Sequence, residues 1–138
     1  MTRRLTSLNP ATEAMAHRPT ILVVDDEPDI LDLLDACLKK SFHVRRANNG
    51  EEALDIISAC KVDCLVSDFS MKGVTGGDLV AAVRARDVSV KTVNHSAYDQ
   101  RDLYADCDLW IQKPTEFSKI AAMISELLGP NDDDPLDP

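Results

Sequence analysis

The chain has 138 residues, 44% of them hydrophobic and 28% charged, which is the balance of one globular domain of ordinary size. Its formal net charge of −9 argues against a nucleic-acid-binding surface, because neutralising phosphates takes clustered Lys and Arg. No run of about 18 apolar residues is present to span a bilayer, and Arg3 and Arg4 are not followed by the apolar stretch of a secretory signal. Cys37, Cys60, Cys64 and Cys107 lack metal-site spacing and read as free thiols of a reducing, cytoplasmic setting.

Residues 1–19 contain Thr, Ser, Asn and Pro without a sustained period and read as a mobile extension. Ile21-Leu22-Val23-Val24 is an apolar run ending on Asp25 and Asp26, the pattern of a buried strand. Pro28 marks a helix start. Beyond it Ile30, Leu33, Leu34, Cys37 and Leu38 recur at helical spacing, with Asp29, Asp32 and Asp35 facing water. Val44–Ala47 is a weak strand, Asn48-Asn49-Gly50 a turn, and Ala53, Ile56 and Ile57 among Glu51, Glu52 and Asp55 make a second helix.

Cys64-Leu65-Val66-Ser67 is the central strand and stops abruptly on Asp68. The stretch 70–77 holds three of the chain's five glycines and predicts a loop with unusual backbone angles. A third helix follows through Asp78, Leu79, Val80, Val83 and Arg84. Val88–Val93 reads as a fourth strand, ending in Asn94-His95-Ser96-Ala97. Asp99–Ala105 leaves room for about two helical turns before a fifth strand, Leu109-Trp110-Ile111-Gln112, which ends on Lys113. Phe117, Ile120, Ala121, Ile124, Leu127 and Leu128 trace a last amphipathic helix, stopped by Gly129-Pro130. Residues 130–138 are acidic, contain proline and read as a disordered tail.

Strands alternating with helices predict an α/β domain over residues 20–129, with a parallel sheet covered on both faces. In such a sheet the carboxyl ends of the strands share one crevice, where ligands bind. Asp25, Asp26 and Asp68 therefore converge. At an effective dielectric near 20, two unit charges about 4 Å apart repel by roughly 4 kcal/mol, so either a proton is retained or a hard cation sits among them. Magnesium meets the second condition, taking a few carboxylate oxygens and completing its octahedron with water and phosphate. Lys113 supplies a point charge for a phosphate. A carboxylate in that company acts as a nucleophile toward phosphorus, and Asp68, on the central strand, is the best placed to do so. Ser96 has a hydroxyl to donate to a phosphoryl oxygen.

Val24-Asp25-Asp26-Glu27, Asp68 with Met71 and Gly76, Ser96-Ala97 and Lys113-Pro114, in this order and each at a strand end, together resemble the receiver domain of two-component response regulators. The resemblance covers about Pro19 to Leu128. It implies a flavodoxin-like, doubly wound sheet of five parallel strands in the order 2-1-3-4-5. It also implies a phosphoacceptor of a phosphorelay, in which Asp68 takes phosphate from a sensor histidine kinase or phosphotransfer protein and catalyses its own transfer and dephosphorylation. Mg2+ is expected on Asp25, Asp26, Asp68 and the backbone carbonyl of Ser70. On phosphorylation Ser96 is expected to move toward the phosphoryl group while Trp110 changes rotamer, altering a surface read by a downstream protein target.

Departures from the family pattern accompany the matches. Lys72 replaces a usual proline, Asn94 and His95 replace an apolar strand end, and Asp106 stands where glycine is common. Only residues 97–112 separate Ser96 from Lys113, several fewer than is usual, so the fourth helix of the family is expected to be short or missing. These departures motivate an alternative, a pseudo-receiver that binds a protein constitutively without phosphorylation. A small magnesium phosphatase with an aspartyl nucleophile is disfavoured, because no second acid stands two residues after Asp68. Plainer roles also exist: helix capping for Asp25 and Asp26, a strand exit at Lys113-Pro114, a turn at Ser96, and packing for Trp110, His95, Cys60 and Cys64.

Overall fold

The computed structural model describes residues 18–68, 73, 75–87, 89–96, 107–113 and 116–129. The elements run β1 (Thr20–Val24), α1 (Pro28–Leu38), β2 (His43–Ala47), α2 (Gly50–Ala59), β3 (Cys64–Ser67), α3 (Gly76–Arg86), β4 (Lys91–Ser96), β5 (Leu109–Gln112) and α4 (Phe117–Leu128). The strands form one parallel sheet in the order β2-β1-β3-β4-β5, the doubly wound flavodoxin-like arrangement expected. Register aligns Val24 with Ala47 and Ser67, Ser67 with Asn94, and Ser96 with Gln112. The carboxyl ends of all five strands therefore open on one edge.

Burial explains why the strands form where they do. Alternate residues point to opposite faces, so Ile21, Val23, Val66, Val93 and Ile111 pack under Leu31, Leu34 and Leu38 of α1 and Ile120 and Ile124 of α4. Leu22, Val24 and Leu65 face the other way, against Ala53 of α2 and Leu79 and Val83 of α3. Covering both faces is what permits near-continuous apolar runs in β1 and β3. Among the described residues no helix is long and apolar enough to cross a membrane.

Four local expectations are adjusted by the packing. The α1 stripe facing the core is Leu31, Leu34 and Leu38 with Ile30 packed beside it, while Leu33 is exposed; Leu31 takes the place of Leu33 in the predicted stripe. Gly50 lies inside α2, because Asn49 caps it by accepting the Glu52 N–H at 2.8 Å. Gly76 and Gly77 likewise belong to a helix, not a loop. Thr75 accepts the Asp78 N–H at 3.2 Å and Asp78 Oδ2 accepts the Thr75 N–H at 3.0 Å, a reciprocal cap that starts α3 early. Gly73 keeps the left-handed backbone that the glycine density suggested, with φ +74°. The fourth strand begins at Lys91 and runs through Ser96, three residues later than predicted. Asp87 Oδ1 accepts both the backbone N–H and the hydroxyl of Ser89, just ahead of that start.

β4 and β5 are joined by residues 97–108, close to the minimum of about a dozen that a parallel crossover requires. The expectation of a short or missing helix there falls on residues of which 97–106 lie outside the described set, as do 1–17 of the proposed extension and 130–138 of the proposed tail. The carbonyl of Pro19 accepts the N–H of His43 at 2.9 Å, which ties the chain to β2 just before β1 begins.

Candidate functional site

Three of the residues singled out above follow directly on strands, and each hangs from the last rung of the ladder. The backbone N–H of Asp25 donates to Ala47 O at 3.3 Å, that of Asp68 to Val24 O at 3.2 Å, and that of Lys113 to Ser96 O at 2.7 Å. The sheet register thus fixes where each side chain leaves the strand edge. Asp25 is 1% exposed and Asp68 6%, burial that a carboxylate tolerates only when paired.

The pairing is provided by Lys113. Its Nζ lies 3.0 Å from Asp25 Oδ2 and 3.1 Å from Asp68 Oδ2, bridging the two acids. The second oxygen of Asp68, Oδ1, accepts from Ser96 Oγ at 2.8 Å. Asp25 Oδ1 accepts the Glu27 N–H at 3.0 Å, so the carboxylate also braces the entry to α1. That bond is the part of the helix-capping role that survives; Glu27 itself occupies the cap position and makes no side-chain cap bond. Asp26 and Glu27 are exposed at the mouth of the cleft.

Electrostatics follow from the burial. Desolvation raises the Asp25 carboxyl above its ordinary value, against the Glu27 N–H and Lys113, which favour its charge. Desolvation works against the Lys113 ammonium too, but the bonds to Asp25 and Asp68 outweigh it and hold Lys113 above its ordinary value. Lys113 is therefore a fixed cation throughout the neutral range. Oxygens of Asp25, Asp26, Glu27 and Asp68 all lie within 4.8 Å of one another, and among the described residues Lys113 pairs with two of these four carboxyl groups. An all-oxygen, anionic donor set of this kind suits a hard divalent cation, whereas soft metals prefer sulfur. Ser70, expected to contribute its carbonyl, lies outside the described residues.

Sequence reasoning quoted Glu27 without giving it a role; its position directly after the acid pair was the available signal. It named Asn94 only as a departure from the family pattern and gave it no place in the site: Asn94 Oδ1 lies 2.6 Å from Ser96 Oγ, a contact that only strand register and side-chain direction reveal. Trp110 is half-buried on β5, paired in register with Asn94, and so lies on the face of the sheet that carries Ser96. His95 points to the opposite face. Its ring meets Phe117 edge-on at 5.8 Å, and among the described residues neither nitrogen has a partner, so it is a core residue. Cys64 is buried and its thiol is pushed up by that burial; Cys37, Cys60 and Cys107 are half-buried free thiols. A cavity of ≈ 220 Å³ between α2 and α3, lined among others by Lys61, Val62, Arg86 and Val90, lies at the amino ends of the strands, away from the acids.

Comparison with known proteins agrees with this geometry. The family model described as the response regulator receiver domain matches residues 21–125. Transcriptional regulatory protein PrrA of Mycobacterium leprae is 34% identical over 116 residues, which are 80% of this chain and 50% of PrrA. A putative transcriptional regulator of Haloferax volcanii is 30% identical over 125 residues, 88% of this chain and 21% of its own length. The chain thus spans half or less of the length of these relatives. Among solved structures, response regulator protein TrrA of Thermotoga maritima, in complex with Mg(2+)-BeF, superposes with a TM-score of 0.73 at 30% identity, covering 80% of this chain and 99% of TrrA. A CheY-like receiver domain protein of Methanospirillum hungatei shares the fold with a TM-score of 0.75 at 24% identity, covering 80% and 94% of the two chains. The chain belongs to the response regulator receiver domain family of two-component systems.

Proposed function

We propose that the domain, over residues 20–129, is a phosphoacceptor that takes a phosphoryl group on Asp68 and passes the event to a protein-binding surface. One observation carries this reading: a nearly buried carboxylate on the central strand with an ammonium 3.1 Å from one oxygen and a hydroxyl 2.8 Å from the other, beside three more acids. An oxygen of Asp68 attacks phosphorus, the bond from phosphorus to the leaving group breaks, and the leaving group departs with the electron pair. The donor is the phosphohistidine of a sensor kinase or phosphotransfer protein, or a small acyl phosphate. Asp25, Asp26 and Asp68, with the Ser70 carbonyl, are the residues to hold magnesium, which supplies charge neutralisation on the phosphoryl oxygens.

The chain's own groups do the rest. Lys113 keeps a cation beside the carboxylate that becomes the acyl phosphate, and the Ser96 hydroxyl, already aimed at Asp68, becomes a donor to a phosphoryl oxygen. Ser96 ends β4, and Trp110 pairs with Asn94 two residues earlier, so displacement of Ser96 acts on the β4–β5 pair. That pair is our proposed route to a downstream protein target, in a cytoplasmic setting. Intact mass after incubation with magnesium and acetyl phosphate tests the reading. Phosphoryl mass should appear on the wild type and be absent from Asp68→Asn. An unlabelled wild type would leave a constitutive binding module, and equal labelling of the variant would assign the phosphate elsewhere.

A further inference from the structure

β4 buries an unusual set of side chains: Thr92, Asn94, His95 and Ser96 are each 2% exposed or less. Thr92 is fully engaged. Its N–H donates to Asp108 Oδ2 at 2.8 Å, and its hydroxyl meets Asp108 and Arg84. Asn94 is not accounted for by packing in that way. Among the described residues its Nδ2 has no partner, and a buried donor left unpaired costs more than an apolar side chain of the same size.

The hydroxyl next to it has the opposite problem. Ser96 Oγ lies 2.8 Å from Asp68 Oδ1 and 2.6 Å from Asn94 Oδ1. A hydroxyl has one proton, so it cannot donate to both oxygens, and two oxygens at the shorter distance repel when no proton lies between them. The two ends of a carboxamide are nearly the same shape, and a half-turn of the Asn94 amide removes both difficulties. Nδ2–H then donates to Ser96 Oγ, and the Ser96 proton is left for Asp68 Oδ1. The vacancy moves from an N–H to a carbonyl oxygen, the less costly of the two to leave bare.

We propose that Asn94 is a positioning residue of the phosphoacceptor pocket: its amide donates to Ser96 Oγ and so commits the Ser96 proton to Asp68 and, after transfer, to the phosphoryl group carried there. The inference rests on the phosphoacceptor reading of Asp68 and deepens it. Asn94 touches none of the reacting atoms and acts through Ser96. Alternation along β4 makes this possible, since residues 94 and 96 leave the strand on the same face. A donor already aimed where negative charge develops needs no reorientation during transfer. With an apolar residue at 94, the hydroxyl loses that donor and is no longer held by it toward Asp68.

The test is a double-mutant cycle on the rate of phosphorylation by acetyl phosphate with magnesium, followed by intact mass. Asn94→Leu removes the amide without leaving an unpaired group, and Asn94→Val serves if the leucine variant does not fold. Either substitution should slow labelling by about fivefold, the rate equivalent of one neutral hydrogen bond. In a Ser96→Ala background the same substitution should change the rate by less than about twofold, because the bond it removes is already gone. An equal fall in both backgrounds, or no fall in either, overturns the positioning role. A second readout needs no phosphate. The side-chain amide signal of Asn94 in a nitrogen–proton correlation spectrum, identified by its loss in Asn94→Leu, should move in Ser96→Ala; a signal that stays put overturns the role. If the wild type gains no phosphoryl mass, the phosphoacceptor reading falls and takes the role with it. Wild-type labelling with a failed cycle or an unmoved amide removes the role of Asn94 alone.

Discussion

β3 and β4 lie side by side, paired in register from Cys64 with Lys91 to Ser67 with Asn94, and they follow opposite rules. β3 is Cys-Leu-Val-Ser, apolar but for its last residue and buried throughout. β4 is Lys-Thr-Val-Asn-His-Ser, buried from Thr92 onward with Val93 as its one apolar side chain. Hydrophobic burial on both faces explains β3, which serves as a rigid post that brings Asp68 to the strand edge. It does not explain β4. There, each polar side chain has a separate circumstance: Thr92 is clamped by Asp108 and Arg84, Ser96 is shared by Asp68 and Asn94, and His95 is left with two bare nitrogens. A strand built this way gives up stability where the neighbouring strand supplies it, and such departures from packing logic concentrate at functional sites.

The contrast is open to attack by substitution. Leu65→Ala on β3, at a position with no exposure, should lower unfolding free energy by about 2–5 kcal/mol in urea titrations; a loss below about 1 kcal/mol would mean that β3 is not the post described. Acid should act through β4. Burial, then the nearby Lys113 charge, hold the His95 pKa down from 6.5 to about 4. Above pH 6.5 the imidazole is neutral in folded and unfolded chains alike, so it adds no pH dependence. Between about 6.5 and 4 the unfolded chain takes a proton that the folded one refuses, and stability falls by of order 3 kcal/mol across that window. Asp25 works in the opposite sense: its raised pKa makes the folded form hold a proton that the unfolded form has released, so its contribution to stability declines as pH rises above its ordinary value of 3.8. The His95 share is therefore read as the difference between wild-type and His95→Leu stability curves, which should widen by of order 3 kcal/mol in favour of the variant as pH falls from 6.5 to about 4 and stay constant below that.

At neutral pH His95→Leu should raise stability by about 1–2 kcal/mol, because it replaces a desolvated, unpaired ring with a side chain suited to the packing against Phe117. A loss instead would reveal a partner for the ring and weaken the contrast between the strands. The smallest effect is expected at Arg84, whose guanidinium joins Val90 O, Thr92 Oγ1 and Asp108 Oδ2. Arg84→Met should cost about 1 kcal/mol, since Asp108 keeps its bond from the Thr92 N–H and the ion pair is partly exposed.

The two strands also show what could be read without coordinates. β1, β3 and β5 are legible because an apolar run ends on, or one residue before, a charged residue, and that coincidence marks Asp25, Asp68 and Lys113 together with their shared edge. β4 was misplaced by three residues because its valines at 88, 90 and 93 mimic a strand, while the true strand carries polar side chains that only partners in space can satisfy. The glycines at 76 and 77 misled for a related reason: the Thr75–Asp78 cap is a local signal, but it lost to composition. In α1 Leu33 and Leu31 both fit a stripe of helical period with Leu34 and Leu38. Only docking on the sheet selects the second. The Asn94–Ser96 contact requires register and side-chain direction together, so no pattern in the sequence announces it.

Asp25, Asp68 and Lys113 are each suspended from a backbone bond at the very end of a ladder, and that has a practical consequence for spectroscopy. Their three amide protons form a built-in gauge of the pocket. A ligand seated on the side chains would slow hydrogen exchange at all three positions in concert, whereas fraying of one strand would quicken a single position and leave the other two unchanged.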